Sequence, residues 1–279
     1  MSGALRARGK RFLRGAVPLA LRKRLAVAVE RQMWIDADRR RWWSVELVRD
    51  LVETAADAFH RFLWTNHLAY AATYETALRF GPENLKLSRR MFFADLANVA
   101  AGPSSPVRGV SSVLEVGCSL GYQLRHIEQD VFPQAAVLEG FDIDRYAIEC
   151  GTEYLEGVSS KVVLRCDDVD SLGRFDANAS YDVVVCTGVL MYLHEAAAAN
   201  AVAAMLRLGK IVALSGLASA TDNAELAHSG VRHRDGTFIH NFDKMVKEAG
   251  GQVLARRWEG ERDFEGNTVY FVFATHPGP

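Results

Sequence analysis

Glu115 sits near the end of an apolar run, Val113-Leu114-Glu115-Val116, and a turn bracketed by Gly117 and Gly121 follows at once. Such a turn leads from a buried strand into a helix. It presents backbone N–H groups and the positive end of the helix to a ligand at the carboxyl edge of a sheet. Cys118 and Ser119 lie inside the turn and are candidates to line the same ligand. The acid restricts what that ligand can be. A carboxylate repels a pyrophosphate and attracts a nucleotide whose other end carries an ammonium group. The position therefore argues against a nicotinamide-dependent oxidoreductase.

Three more clusters follow apolar runs further along the chain. Phe141-Asp142-Ile143-Asp144 places Asp142 about 20 residues past the glycine turn, the spacing at which a carboxylate accepts hydrogen bonds from ribose hydroxyls, with Ile143 beside it. Asp144 directly precedes Arg145-Tyr146-Ala147 and reads as a helix N-cap. Cys166-Asp167-Asp168-Val169 ends the next run with two acids, and Tyr181–Cys186 runs into Thr187-Gly188-Val189-Leu190 and then His194.

In this order the four clusters resemble the class I (Rossmann-like) S-adenosylmethionine-dependent methyltransferases, whose first strand ends in an acidic-x-Gly-x-x-x-Gly signature. The resemblance covers residues 110–279. It implies that the turn at Gly117 wraps the methionine end of the cofactor while Glu115 engages its ammonium group. It also implies that Asp167, or Asp168 in its place, binds the adenine, and that the segment from Thr187 onward is where methyl group and acceptor meet. Helices before the first strand frequently form a lid in this family, which nominates Tyr70, Tyr74 and Arg90 as lid contacts. Two departures stand out. Cys118-Ser119-Leu120 occupies the space where many members carry a third, central glycine. The Asn-Pro-Pro-aromatic signature of enzymes that methylate base or glutamine nitrogens is absent after the fourth run, which argues against nucleobase N-methylation.

Methylating an alcohol or phenol requires a base for its proton, and histidine is the usual choice at neutral pH. His194 lies nearest the fourth run. His233 lies in the long polar segment Leu217–Phe238, flanked by His228 and His240, and His67 shares an N-terminal helix with His60. All six are candidate bases, and His194, His233 and His67 are singled out among them. The segment Leu217–Phe238 has the length of a functional loop, and its histidines and arginines suit a hydroxylated acceptor. The expected activity is O-methylation of a small polar metabolite or a sugar or glycan hydroxyl. N-methylation of a small amine, or a cofactor-binding relative without activity, are the alternatives. The catalytic half shows no basic stripe with interleaved aromatics, so nucleic acid is not an expected partner.

These residues need elements to hold them. The chain has 279 residues, 49% hydrophobic and 24% charged, with a net charge of −1, as expected of a globular protein with ample core material. Apolar strands alternate with helices from Ser112 onward. The expected elements are strands at Ser112–Val116, Val137–Phe141, Lys161–Cys166, Asp182–Cys186 and Ile211–Ser215, with helices at Leu120–Gln129, Arg145–Glu156 and Glu195–Leu208 between them. A helix at Ile239–Ala249 and a strand pair, Gln252–Trp258 and Thr268–Ala274, close the chain. This pattern predicts an α/β fold with a doubly wound, seven-stranded, mostly parallel sheet ending in an antiparallel hairpin. The domain expectation is a basic extension over 1–44, a helical cap or lid over 45–104 and the cofactor-binding domain over 105–279, after the turn-rich Gly102-Pro103-Ser104-Ser105-Pro106. Within the cap, helical periodicity runs throughout Val45–Phe80, with a second helix over Glu83–Ala101. Residues 1–31 hold nine basic side chains against the single acid Glu30, and residues 5–31 read as a basic helix with Pro18 kinking it or marking its first turn. That segment suits either plain solvation or peripheral contact with an acidic membrane surface or an acidic partner. Cys118, Cys150, Cys166 and Cys186 lack C-x-x-C spacing, which suits reduced thiols in a cytoplasmic protein and no metal site.

Overall fold

The computed structural model describes residues 17–32, 37–69, 80, 81, 85, 87–175, 180–219, 226–232, 235–258 and 267–276. The chain divides into two compact units, Met1–Tyr74 with His233–Gly236, and Glu75–Arg232 with Thr237–Pro279.

In the first unit α1 (Leu19–Glu30) starts directly after Pro18, so the proline marks the helix start. Then come α2 (Ala37–Glu46), α3 (Leu51–Thr54) and α4 (Ala56–Thr65). The helical reading of Val45–Phe80 needs correction. The chain turns after Glu46 and breaks again at Ala55, whose φ of −161° is extended. Residues 70–79 lie outside the described residues. No glycine or proline announces the break, yet the stripe behind the reading is real. Leu51, Phe59 and Leu63 bury together with Ala26, Val48 and Leu68. Burial, rather than local propensity, sets these helix ends.

The second unit is built on a seven-stranded sheet. Its strands are β1 (Ser112–Val116), β2 (Val137–Asp142), β3 (Val162–Cys166), β4 (Tyr181–Thr187), β5 (Gly209–Ser219), β8 (Gln252–Trp258) and β9 (Asn267–Thr275), in the order β3-β2-β1-β4-β5-β9-β8. Strands β1 to β5 are mutually parallel. β9 runs antiparallel between β5 and β8, so the closing hairpin is present but only β8 forms the edge. The short β6 (Gly230–Val231) and β7 (Phe238–Ile239) pair within the polar loop. Helix α9 therefore covers only Phe242–Glu248 rather than Ile239–Ala249, capped by the Asn241 side chain accepting from Lys244 N–H.

Helices α5 (Leu87–Ala101), α6 (Tyr122–His126, continued by a π turn), α7 (Arg145–Gly157) and α8 (Glu195–Leu208) complete this unit. Val113, Val183, Val185 and Ile211 pack on one face of the sheet with Phe92, Phe93 and Leu96 of α5. Leu114, Val184, Val212 and Leu214 pack on the other with Val202 and Met205 of α8. A parallel sheet covered on both faces explains why its strands read as continuous apolar runs. A charge inside such a strand is then conspicuous.

Candidate active site

The site is laid out by the register of β1 and β4, where Glu115 pairs with Val185 and Val116 with Cys186. The turns leaving these two strands touch. Gly117 has φ +74°, and a Cβ there would lie 2.1 Å from Val189 Cγ2. Only glycine satisfies both conditions. Gly117 and Cys118 N–H both donate to Phe141 O, at 2.9 and 3.0 Å. Ser119 adopts φ +52° and Gly121 φ +80°. Ser119 thus holds the left-handed conformation that a central glycine would adopt freely, at a cost on the order of 1 kcal/mol. A 2.8 Å bond from its N–H to Asp142 Oδ2 holds it there.

Glu115 is fully buried. Gln123 Nε2, from α6, donates to Glu115 Oε1 at 2.9 Å and lies 2.9 Å from Thr187 Oγ1 at the end of β4. Glu115 Oε2 is buried and has no hydrogen-bond partner among the described residues. Burial pushes this carboxyl well above the usual range, and the charge of Arg89 opposes the shift. Arg89 reaches toward the other turn, with Nη2 3.5 Å from the Cβ position of Gly188. Arg90, the residue nominated from the sequence, instead lies exposed with Nε bonded to Leu85 O. Helical phase carries the signal that separates them. Arg89 shares its face of α5 with the buried Phe92, Phe93 and Leu96, whereas Arg90 shares its own with the exposed Ala94 and Asn98.

Asp142 accepts N–H bonds from Ser119 and Asp144, and burial raises its carboxyl to about 6. It pairs in register with Cys166, which brings Asp167 alongside it, and Asp167 N–H donates to Asp142 O at 3.0 Å. Ile143, half-buried, adjoins Asp142. The Asp167 carboxylate accepts from Asp168 N–H and lies 3.4 Å from Arg174, while Asp168 Oδ1 caps the next turn through Asp170 N–H. Asp144 caps α7 as expected, accepting from Ala147 N–H.

The histidines separate. His194 is exposed and caps α8, its Nδ1 accepting from Ala197 N–H at 3.3 Å. His67 belongs to the first unit, at φ +55°, and its carbonyl accepts from Arg41. His233 and Tyr74, like Tyr70, lie outside the described residues. His228 Nδ1 is 3.4 Å from Glu195 Oε2. His240, one of the candidate bases beside the loop, is fully buried, with Nε2 2.8 Å from Leu190 O and Nδ1 2.7 Å from Ser229 Oγ. A carbonyl only accepts, so Nε2 carries the proton and Nδ1 receives the Ser229 hydroxyl. Burial lowers the His240 pKa and keeps the ring neutral. Sequence spacing gave no sign of this pair, because the β6–β7 ladder that closes it has no strong apolar pattern.

No curated protein matches the chain in sequence. Residues 113–210 match a family model described as a methyltransferase domain. Among solved structures the chain is similar to an S-adenosylmethionine-dependent methyltransferase from Clostridium acetobutylicum ATCC 824, at 9% identity over 72% of this chain and 97% of that one, TM-score 0.53. It is also similar to the [4+2]-cyclase SpnF, at 15% identity over 68% and 81%, TM-score 0.52. A third is the N-methyltransferase NodS from Bradyrhizobium japonicum WM9 in complex with S-adenosyl-L-homocysteine, at 16% identity over 71% and 92%, TM-score 0.50. At these identities the likeness is one of fold. The family match is the more specific finding, and it spans residues 113–210, about a third of the chain, from the start of β1 to the start of β5.

Proposed function

We propose that this chain methylates a hydroxyl group of a small polar metabolite or a sugar, with S-adenosylmethionine as donor. When bound, that cofactor supplies a methyl group already activated on sulfur, so the protein's tasks are to bind, to align the acceptor and to exclude water. The residues present fit it. The orphaned Glu115 Oε2 suits an ammonium group, Arg89 a carboxylate, and Asp142 a ribose diol. Asp167, Asp168 and Ile143 adjoin Asp142 on the adenine side, and Thr187 ends β4 on the reacting side.

The observation that carries the hydroxyl reading is the Ser229–His240 pair, anchored to the turn after β4 through Leu190 O. A hydroxyl acceptor must lose its proton as the new C–O bond forms. In this reading the acceptor proton passes to Ser229 Oγ while the Ser229 proton moves to His240 Nδ1. The resulting imidazolium is held by Leu190 O and favoured by the charge of Glu195. A methyl-transfer assay over matched hydroxyl and amine panels tests the proposal. It expects methylated hydroxyl products, with kcat reduced about 100-fold in Ser229→Ala and His240→Gln while cofactor affinity is kept. Methylation of amines alone, or wild-type turnover in both variants, contradicts it.

A further inference from the structure

The first unit exposes large apolar and basic side chains together. Helices α1 and α2 pack in opposite directions. Arg40 reaches Gln32 O, Ser44 Oγ donates to Ala26 O at 2.8 Å, and Arg22 binds Leu47 O and both oxygens of Asp50. These contacts settle the inner faces. The outer face of α1 exposes Leu21 (48%) and Leu25 (42%) around Arg24. The outer face of α2 exposes Trp42 (46%) and Trp43 (47%), their rings edge to face at 4.8 Å, one turn from the exposed Arg39. Four large apolar side chains at the surface of two short, arginine-bearing helices are a cost in water unless something receives them.

Charge identifies the occupant. Residues 1–46 hold twelve of the 33 basic side chains and only four of the 34 acidic ones. The rest of the chain is correspondingly acidic, so an anionic surface selects this segment. A nucleic acid would satisfy the arginines but offers no place for the leucines. A second copy would satisfy the apolar residues but set two basic faces together. An anionic bilayer satisfies both, because indole rings and leucines settle at the headgroup level while arginines reach phosphates. At 12 and 10 residues these helices lie along a surface, and among the described residues no helix is long and apolar enough to cross a membrane.

We infer that the α1–α2 pair docks on an anionic lipid surface through Trp42, Trp43, Leu21 and Leu25, with Arg24 and Arg39 on the headgroups. This rests on the first unit alone and stands whatever acceptor is methylated. Vesicle flotation of the full chain tests it, using phosphatidylcholine alone and an equal mixture with phosphatidylglycerol. Flotation is expected with the mixture only, falling roughly tenfold from low to high salt. The pairs Trp42→Ser with Trp43→Ser, and Arg24→Gln with Arg39→Gln, each weaken it at least about tenfold. Their circular dichroism and cofactor affinity stay as in wild type, because the substituted side chains are exposed. The inference is overturned by no flotation on mixed vesicles, by equal flotation on phosphatidylcholine, or by full binding in both variants. Tryptophan-dependent dimerisation or RNA binding without vesicle binding overturns it too.

Discussion

Asp182, one residue into β4, and Glu115, one residue before the end of the adjacent β1, are buried carboxylates at opposite ends of the same sheet. Asp182 is fully provided for. Its oxygens accept from Ser111 N–H at 2.8 Å, Ser111 Oγ at 2.7 Å and Lys210 Nζ at 2.8 Å, and these partners hold its carboxyl at about 2. Glu115 accepts a side-chain amide bond from Gln123, keeps an oxygen with no bonded partner among the described residues, and is pushed upward by burial despite the neighbouring Leu124 N–H. An acid whose partners all belong to the fold is there for the fold. An acid buried with an unbonded oxygen costs stability, and on the proposed function a cationic ligand offsets that cost. The contrast separates the carboxyl edge of the sheet, where the proposed function places binding, from the amino edge, which braces.

The contrast can be broken most severely at the binding edge. Gly117→Val would place side-chain atoms against Val189 in a backbone conformation that valine resists. A loss of about 3 kcal/mol or more of stability and no detectable cofactor binding are expected in thermal melts and titration calorimetry. At the bracing edge, Asp182→Asn should cost about 2 kcal/mol, the equivalent of its depressed carboxyl, and leave cofactor affinity at the wild-type value. Because that carboxyl is depressed, its contribution is complete at neutral pH and disappears as the pH falls from about 4 to about 2. Denaturant melts across that range show the loss in wild type and its absence in the variant.

Smaller effects sharpen the binding edge itself. Arg89→Met should weaken S-adenosylmethionine about tenfold while leaving adenosine, which has no carboxylate, unaffected. Equal weakening of both would place Arg89 outside the amino-acid end. Asp142 supplies the mildest prediction. Its carboxyl sits at about 6, raised by burial, and a ribose diol donates best to the ionised form. Cofactor affinity should therefore hold steady above pH 6 and fall by up to about tenfold per pH unit below it, a slope flattened in Asp142→Asn. The sign is opposite for the empty fold. A raised carboxyl makes its contribution to stability less unfavourable as the pH drops through 6.

Much of the binding edge was legible in the chain, because each element there announces itself. A carboxylate inside an apolar run, glycines where backbones touch and acids at strand ends are local signals, and they pointed to Glu115, Gly117, Asp142 and Asp167, which the strand register brings to one edge of the sheet. What escaped the sequence depends on tertiary placement. Arg89 needed the phase of α5 against the sheet, and the neighbouring Arg90 looked equally good without it. The pairing of His240 with Ser229 needed the two-residue strands β6 and β7, too short to show a period. The break at Ala55 has no turn residue, and β9 entering between β5 and β8 is a choice of pairing partner that a hairpin pattern does not encode.

The central claim is that the vacant oxygen of Glu115 waits for a positively charged group, and calorimetric titration of wild type and Glu115→Gln with S-adenosylmethionine tests it most directly. Glutamine keeps the shape and removes the charge, so the account predicts a loss of about 30- to 100-fold, or 2–3 kcal/mol, at pH 7. Affinity within about twofold of wild type, in a variant that melts normally, would contradict it.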